Sequence, residues 1–153
     1  MPSKKLVLIL LVSIVLLSGC VSLKADTPET HKMTLKGLKF NTDLGLALEE
    51  AKVQGKPVFV YFRSESCGWC KKFEEETFTN ESVIKTLNEN FILVSIDVNE
   101  QKGDTRTFRV RGTPAEIFLD PDGTEIKRIP GYTETENFLY TINEIIIQKE
   151  AQK

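Results

Sequence analysis

Cys67 and Cys70 stand three positions apart in the stretch Ser66-Cys67-Gly68-Trp69-Cys70-Lys71-Lys72. Two thiols at that spacing can hold a metal, staple the chain or exchange electrons. A structural zinc site needs four ligands, usually two such pairs or one pair with two histidines. The chain offers one pair and a single histidine, His31, far upstream. Cu(I) suits soft thiolates, but neither histidine nor methionine stands near the pair. A permanent staple across two intervening residues does little for a fold, because disulfide stabilisation grows with loop length. Thiol–disulfide exchange is the chemistry the spacing favours. A three-residue offset inside one helical turn brings two α-carbons within the range a disulfide requires.

The neighbouring residues say how such a pair would be activated. Val58-Phe59-Val60-Tyr61-Phe62 is a continuous apolar run of strand length, and Lys71 to about Phe78 reads as a helix. Cys67 at the join faces the unpaired N–H groups of a helix start and the positive end of its dipole, which favour thiolate. Free cysteine titrates near 8.5, and cysteines at helix starts reach about 3.5 to 7.5. Lys71 and Lys72 add positive charge and Glu65 opposes them. Cys70, one turn in, is expected to be more buried and more neutral. Trp69 offers either a flat apolar contact for a client chain or a shield over the second sulfur.

Several elements are needed to position this join. A short strand is expected within Thr34–Phe40, then a helix capped in Asn41-Thr42-Asp43, carrying Leu44, Ala47, Leu48 and Ala51 and ended by Gly55. The apolar run from Val58 to Phe62 suits a strand covered on both faces. In the helix after the cysteines, Phe73 and Thr77 share one side while Glu74, Glu75 and Glu76 are expected to be largely exposed. Asn80 caps a further helix with Val83, Ile84 and Leu87; Phe91 to Val98 reads as a second buried strand, and a short helix or turn follows near Thr105 to Phe108. Ala115–Leu119 and Thr124–Ile129 flank the turn sequence Asp120-Pro121-Asp122-Gly123, an antiparallel hairpin. Phe138, Ile142, Ile145 and Ile146 mark a last amphipathic helix from about Thr133 to Thr135 onward. Strands alternating with helices imply a parallel core, to which the hairpin adds an antiparallel edge. The fold class is α/β, one mixed central sheet flanked by helices.

From about Leu38 to Ile146 the sequence resembles the thioredoxin family. The resemblance rests on Lys56-Pro57-Val58-Phe59-Val60-Tyr61-Phe62 followed by Cys67-Gly68-Trp69-Cys70-Lys71-Lys72-Phe73, and on Gly112-Thr113-Pro114-Ala115-Glu116-Ile117-Phe118 downstream. Asp120-Pro121-Asp122-Gly123 matches the family's hairpin turn, and Gly131 the position before its last helix. The resemblance implies a thioredoxin-like fold, Cys67 and Cys70 as the redox pair, a cis bond before Pro114 set against the cysteines, and a substrate strand received on the backbone of Thr113. Phe73-Glu74-Glu75-Glu76-Thr77-Phe78 is similar to the exported branch that includes the C-terminal domain of the transmembrane thiol–disulfide reductase. One departure stands out. The family often carries a buried carboxylate six residues before the first cysteine, and Tyr61 occupies that position here. A phenol titrating near 10 is a poor base at neutral pH. Tyr61 is then core packing or a hydrogen-bonded proton relay, with Glu65 or water as other acceptors.

Length, charge and the N-terminus set the context. The 153 residues suffice for one domain, and the net charge of −2 leaves no basic excess to neutralise phosphates, so nucleic acid is not an expected partner. Lys4 and Lys5 precede a run of 12 largely apolar residues, Leu6 to Leu17, short of the roughly 20 that span a bilayer. That is the outline of an export signal, with an uncleaved anchor as the alternative. Leu17-Ser18-Gly19-Cys20 resembles the lipobox of prokaryotic lipoproteins, which implies cleavage after Gly19 and acylation of Cys20. Removing residues 1–19 takes two lysines and no acids from a net −2, leaving −4. Residues 20–33, with few apolar side chains, are expected to form a lipid-anchored tether with a reach of roughly 20 Å, and His31 to be a solvated residue within it. The globular domain is then 34–150.

With Cys20 lipidated, the odd cysteine is accounted for and Cys67 and Cys70 form a pair that can stay oxidised outside the cytoplasm. The expected protein is a monomeric, extracytoplasmic, membrane-tethered thiol–disulfide oxidoreductase. Its clients would be protein thiols and disulfides, with a membrane electron donor or acceptor resetting the pair. No metal or cofactor beyond the dithiol is expected. Direction of electron flow depends on the couple's potential, which Gly68-Trp69 does not fix. Two other readings stay open: a non-catalytic client-binding module of the same fold, and a Cu(I)-handling domain.

Overall fold

The computed structural model describes residues 31–152. The signal segment, the lipidation site at Cys20 and most of the tether lie outside the described residues. Six strands form one sheet: β1 (Lys32–Leu35), β2 (Leu38–Asn41), β3 (Val58–Arg63), β4 (Ile92–Asp97), β5 (Ala115–Leu119) and β6 (Glu125–Pro130), in the order β1-β2-β4-β3-β5-β6. The helices are α1 (Leu44–Gln54), α2 (Gly68–Glu76), α3 (Glu81–Asn90), α4 (Lys102–Thr107) and α5 (Thr135–Glu150). β2, β4 and β3 run parallel; β5 pairs antiparallel with β3, and β6 with β5. The expected parallel core with an antiparallel hairpin at its edge is the observed arrangement.

Side-chain alternation along β3 divides the core in two. Phe59 and Tyr61 face an aromatic cluster with Phe40, Phe73, Phe78, Phe118 and Phe138, covered by α2, α3 and α5. Val58, Val60 and Phe62 face the other cluster, closed by Ala47 and Ala51 of α1 with Phe108 and Val110 beyond α4. β3 is buried along nearly its whole length, which is why its sequence reads apolar on both faces. Local chemistry sets the element ends. Asp43 caps α1 by accepting the Leu46 N–H at 2.9 Å, and Gly55 ends it at φ 63°. Asn80 accepts the N–H groups of Ser82 and Val83 at the start of α3.

Three expectations need correction. The segment Thr34–Phe40 is not one strand but parts of two, β1 and β2, folded into a hairpin at Lys36 and Gly37 with φ 48° and 87°. The tether does not extend to Met33: Lys32 and Met33 pair with Asn41 and Phe40, and the His31 carbonyl accepts the Thr42 N–H at 2.7 Å. Ladder hydrogen bonds to β2 order these residues despite their polar composition. Finally, Glu74 is 6% exposed rather than on the solvent side. It lies four residues after Cys70, on the face α2 turns to the sheet.

Candidate active site

β3 ends at Arg63, and Ser64, Glu65 and Ser66 carry the chain into α2 through a turn closed by the Cys67 N–H on the Ser64 carbonyl at 3.2 Å. Cys67 is the N-cap of α2. Its backbone is extended, and its Sγ accepts the Cys70 N–H at 3.1 Å. This is the geometry in which a helix start stabilises negative charge on a capping atom. Cys67 is half-buried and Cys70 fully buried, and the two form a disulfide with α-carbons 5.2 Å apart. One sulfur borders solvent; its partner is sealed beneath it.

Gly68, the first residue of α2, is exposed, and an added Cβ would meet nothing within 4 Å. Its place needs no glycine for steric reasons. Trp69 is 60% exposed, so it does not act as a buried lid on Cys70. Its ring lies 5.4 Å from that of Tyr132, and the Lys72 ammonium sits 5.4 Å and 4.5 Å from the two ring centres. The Tyr132 hydroxyl donates to Glu76 and Glu134, and these carboxylates raise its pKa. Together these side chains make an aromatic, cation-braced shelf beside the cysteines.

The Thr113–Pro114 peptide bond is cis. Pro114 is buried and immediately precedes β5, whose first residue, Ala115, pairs with Phe62 near the end of β3. The register therefore places Thr113 and Pro114 at the sheet end from which the cysteine turn departs. The Pro114 carbonyl accepts the Gly131 N–H at 2.9 Å, tying this loop to the entry of α5.

Tyr61 is fully buried on the face covered by α2. Its hydroxyl lies 3.2 Å from Glu74 Oε1 and 3.4 Å from the Cys70 carbonyl oxygen. Arg63 Nε donates to the same Glu74 oxygen at 2.9 Å. Burial first, and then the Glu74 charge, push the phenol far above its ordinary range, so Tyr61 remains a neutral donor. Glu65 is exposed, and among the described residues no hydrogen bond joins it to Tyr61. The carboxylate in contact with the phenol comes from α2 rather than β3.

Two acidic residues were not anticipated as parts of this region. Glu74 follows Cys70 by four positions, a spacing that could have revealed it. Glu116 in β5 is fully buried, and neither carboxyl oxygen has a hydrogen-bond partner among the described residues. Desolvation holds its pKa well above the usual carboxylate range. Its placement between Ala115 and Ile117, in a strand apolar on both faces, was the available signal. Among the described residues no group of three or more His, Cys, Asp or Glu side chains could hold a metal ion.

The family model described as a thioredoxin-like domain matches residues 44–146. Spermatogenesis-associated protein 20 of Mus musculus is 34% identical over 83 residues, covering 49% of this chain and 10% of that protein. Thiol:disulfide interchange protein DsbD of Ralstonia nicotianae is 28% identical over 130 residues, covering 82% of this chain and 21% of that protein. The chain thus spans a small fraction of the curated relatives it matches. Among solved structures, a thioredoxin from Thermus thermophilus superposes with a TM-score of 0.65 at 29% identity, covering 72% of this chain and 88% of that one. The C-terminal domain of DsbD from Neisseria meningitidis, in its oxidised form, gives a TM-score of 0.59 at 21% identity, with 69% and 97% covered, and shares the fold.

Proposed function

Because the chain belongs to the thioredoxin-like family, we propose that it is a thiol–disulfide oxidoreductase that passes electrons from a membrane donor to protein disulfides outside the cytoplasm. The observation that carries this reading is the contrast between the two sulfurs: Cys67 caps α2 at the surface while Cys70 is sealed. With the pair reduced, the Cys67 thiolate attacks a client disulfide. A Cys67–client bond forms and one client thiolate leaves. Cys70 gives up its proton and attacks Cys67, the second client thiolate departs, and the Cys67–Cys70 disulfide remains. Two electrons have moved, and no further cofactor takes part. The donor's dithiol restores the pair by the reverse sequence.

Thr113, beside the cis bond, offers backbone to an extended client, and the Trp69–Tyr132 shelf offers apolar contact. The matched DsbD relatives, named as interchange proteins, support exchange with other protein dithiols. The signal-like N-terminus and Cys20 supply attachment, since more than one acyl chain gives lasting membrane anchoring. Loss of metabolic acyl labelling in Cys20→Ser tests that part.

The catalytic test is insulin reduction by wild type, Cys67→Ser and Cys70→Ser. Cys67→Ser is expected to abolish turnover, and Cys70→Ser to accumulate a Cys67–client mixed disulfide visible by mass. A wild-type protein that binds clients without reducing them would establish the binding-module alternative instead. The couple's equilibrium potential tests direction: a value near about −270 mV fits the reductant, and one near about −120 mV overturns it.

A further inference from the structure

Glu116 is a buried acid without a visible structural task. It lies in β5, two residues after cis Pro114, with zero exposure and no hydrogen-bond partner for either oxygen among the described residues. Nearly all buried polar groups in folded proteins are paired, because an unpaired one forfeits its hydration without return. An aliphatic side chain would fill the same strand position and avoid that loss. Buried, perturbed carboxyls gather at sites that move protons.

Register shows which site this one serves. Glu116 stands directly opposite Tyr61 of β3 and Ile129 of β6. Directly opposed residues point to the same face of a sheet, and the Tyr61 face is the one packed on Cys70 and Phe73 of α2. Ser95 of β4, opposite Tyr61 on its other side, also has a buried oxygen without a partner. A row of polar side chains, Ser95, Tyr61 and Glu116, therefore crosses the sheet beneath the helix that carries the cysteines. The ionisable groups on this face include Tyr61 and Arg63 from β3, Asp97 of β4 opposite Arg63, Cys70 and Glu74 from α2, and Tyr132 packed at its margin; Asp97 accepts the Asn99 N–H. Lys127 of β6, two positions beyond Ile129, is engaged by Glu144 of α5. Arg63 and Glu74 are committed to each other, which leaves Glu116 as the uncommitted acid in the row.

We propose that Glu116 is the proton store of the redox centre, holding the proton while the disulfide is closed and releasing it to Cys70 when the disulfide opens. This rests on the exchange chemistry proposed above. In opening, an incoming thiolate forms a bond to Cys67 Sγ, the Cys67–Cys70 bond breaks, and Cys70 leaves as thiolate. The Glu116 proton neutralises Cys70 and leaves a carboxylate behind. Closing reverses each transfer: Cys70 returns its proton to Glu116, attacks Cys67 and expels the bound thiolate. The incoming thiol is the only reductant required. Burial supports the role, since desolvation raises the Glu116 pKa well above the usual carboxylate range and so favours the protonated form.

The test compares the purified full-length protein with Glu116→Gln, which retains shape and polarity and cannot supply the proton. Opening of the disulfide by dithiothreitol is followed from pH 5.5 to 9, and the ratio of the two rates cancels the titration of the reagent. The expected result is a roughly tenfold slower opening of the variant near pH 6 to 7, short of the roughly hundredfold or more that a fully positioned acid contributes, because solvent can also protonate the leaving sulfur, with the gap closing as pH rises. Superimposable profiles would overturn the proposal. Redox-difference infrared spectra keep it testable even if the variant folds poorly: reduction of wild type is expected to diminish a protonated-carboxyl band, and a band unchanged on reduction refutes the role. If dithiothreitol does not open the wild-type disulfide, the exchange reading falls and this one with it. Normal opening without the carboxyl signal removes this one alone.

Discussion

Tyr61 and Glu74 meet beneath the redox helix, the phenolic oxygen 3.2 Å from Glu74 Oε1, and Arg63 Nε donates to that same oxygen at 2.9 Å. The contact joins the strand leading into the cysteines to the helix leading away from them. It also resolves what a tyrosine does where the family often has a carboxylate. The acid is supplied across the gap by α2, and the phenol serves as its neutral hydrogen-bond donor.

Removing Glu74 should therefore damage the fold more than its place in a Glu-Glu-Glu run suggests. Arg63 and Glu74 side chains are only 12% and 8% exposed. Breaking such a buried pair from one side typically costs about 3–5 kcal/mol, because the remaining charge is left without a partner. Glu74→Ala is expected to fall in that range. Glu74→Gln, which keeps an acceptor for both donors, should lose about half as much. Urea unfolding of the oxidised proteins measures both, and a loss below about 1 kcal/mol for Glu74→Ala would show that Arg63 finds water or another partner.

Glu116 makes folding stability depend on pH with a defined sign. Its folded pKa is raised by desolvation above the ordinary glutamate value of about 4.3, so between those two values the folded state binds the proton and the unfolded state has lost it. Stability from this group is fully present below the unfolded pKa and is lost as pH rises through the folded one. The slope approaches about 1.4 kcal/mol per pH unit. Asp122, Glu125 and Glu144 shift downward, so their effects belong to the acid side of the unfolded pKa and do not overlap the window above pH 5. Glu116→Gln should thus gain on wild type as pH rises from 5, until the folded carboxyl itself titrates, in a scan taken to pH 8. Parallel stability curves for the two proteins over that range would show that the carboxyl titrates normally.

Much of this arrangement is legible in the chain itself, and the parts that are not share a cause. The cysteine spacing, the two-faced apolar strands and the Asp120-Pro121-Asp122-Gly123 turn each carry their own local signal, and each falls where that signal puts it. Glu74 does not, because neighbouring glutamates mask it; helical spacing through Cys70, Phe73, Glu74 and Thr77 is the pattern that places it inside. Glu116 is likewise hidden by type and exposed by context, a single acid in β5, every residue of which is buried. β1 is short, partly exposed and at the sheet edge, so its sequence has no apolar run to announce it. Only the Lys36-Gly37 pair, a two-residue turn with both φ values positive, marks the hairpin. Composition reports burial well when a whole element is buried, and poorly when one polar group is held inside by pairing or by a task.

Trp69 gives the redox state an optical readout. It is the single tryptophan, and it sits between the two cysteines on the first turn of α2. Emission is expected to rise when the disulfide is reduced, since a neighbouring disulfide quenches indole, and to be redox-silent in the double variant Cys67→Ser/Cys70→Ser. A wild-type signal that ignores reduction would mean that the indole lies turned away from the sulfurs.

The shelf of Trp69, Tyr132 and Lys72 should act on clients and not on the sulfur chemistry. Trp69 is 60% exposed although it has aromatic and cationic neighbours at 5.4 Å, so its outer face is available to an extended chain. Cation–π contacts of this exposed kind contribute about 0.5–1 kcal/mol each, enough to hold the ring in place and too little to matter for the fold. Trp69→Ala is therefore expected to raise KM for a protein disulfide by about five- to tenfold, equivalent to roughly 1 to 1.4 kcal/mol of lost binding, with kcat nearly unchanged. Its reaction with dithiothreitol, which is too small to reach the shelf, should match that of wild type. Equal losses with both substrates would instead place the effect at Cys67 itself, through the first turn of the helix that Cys67 caps.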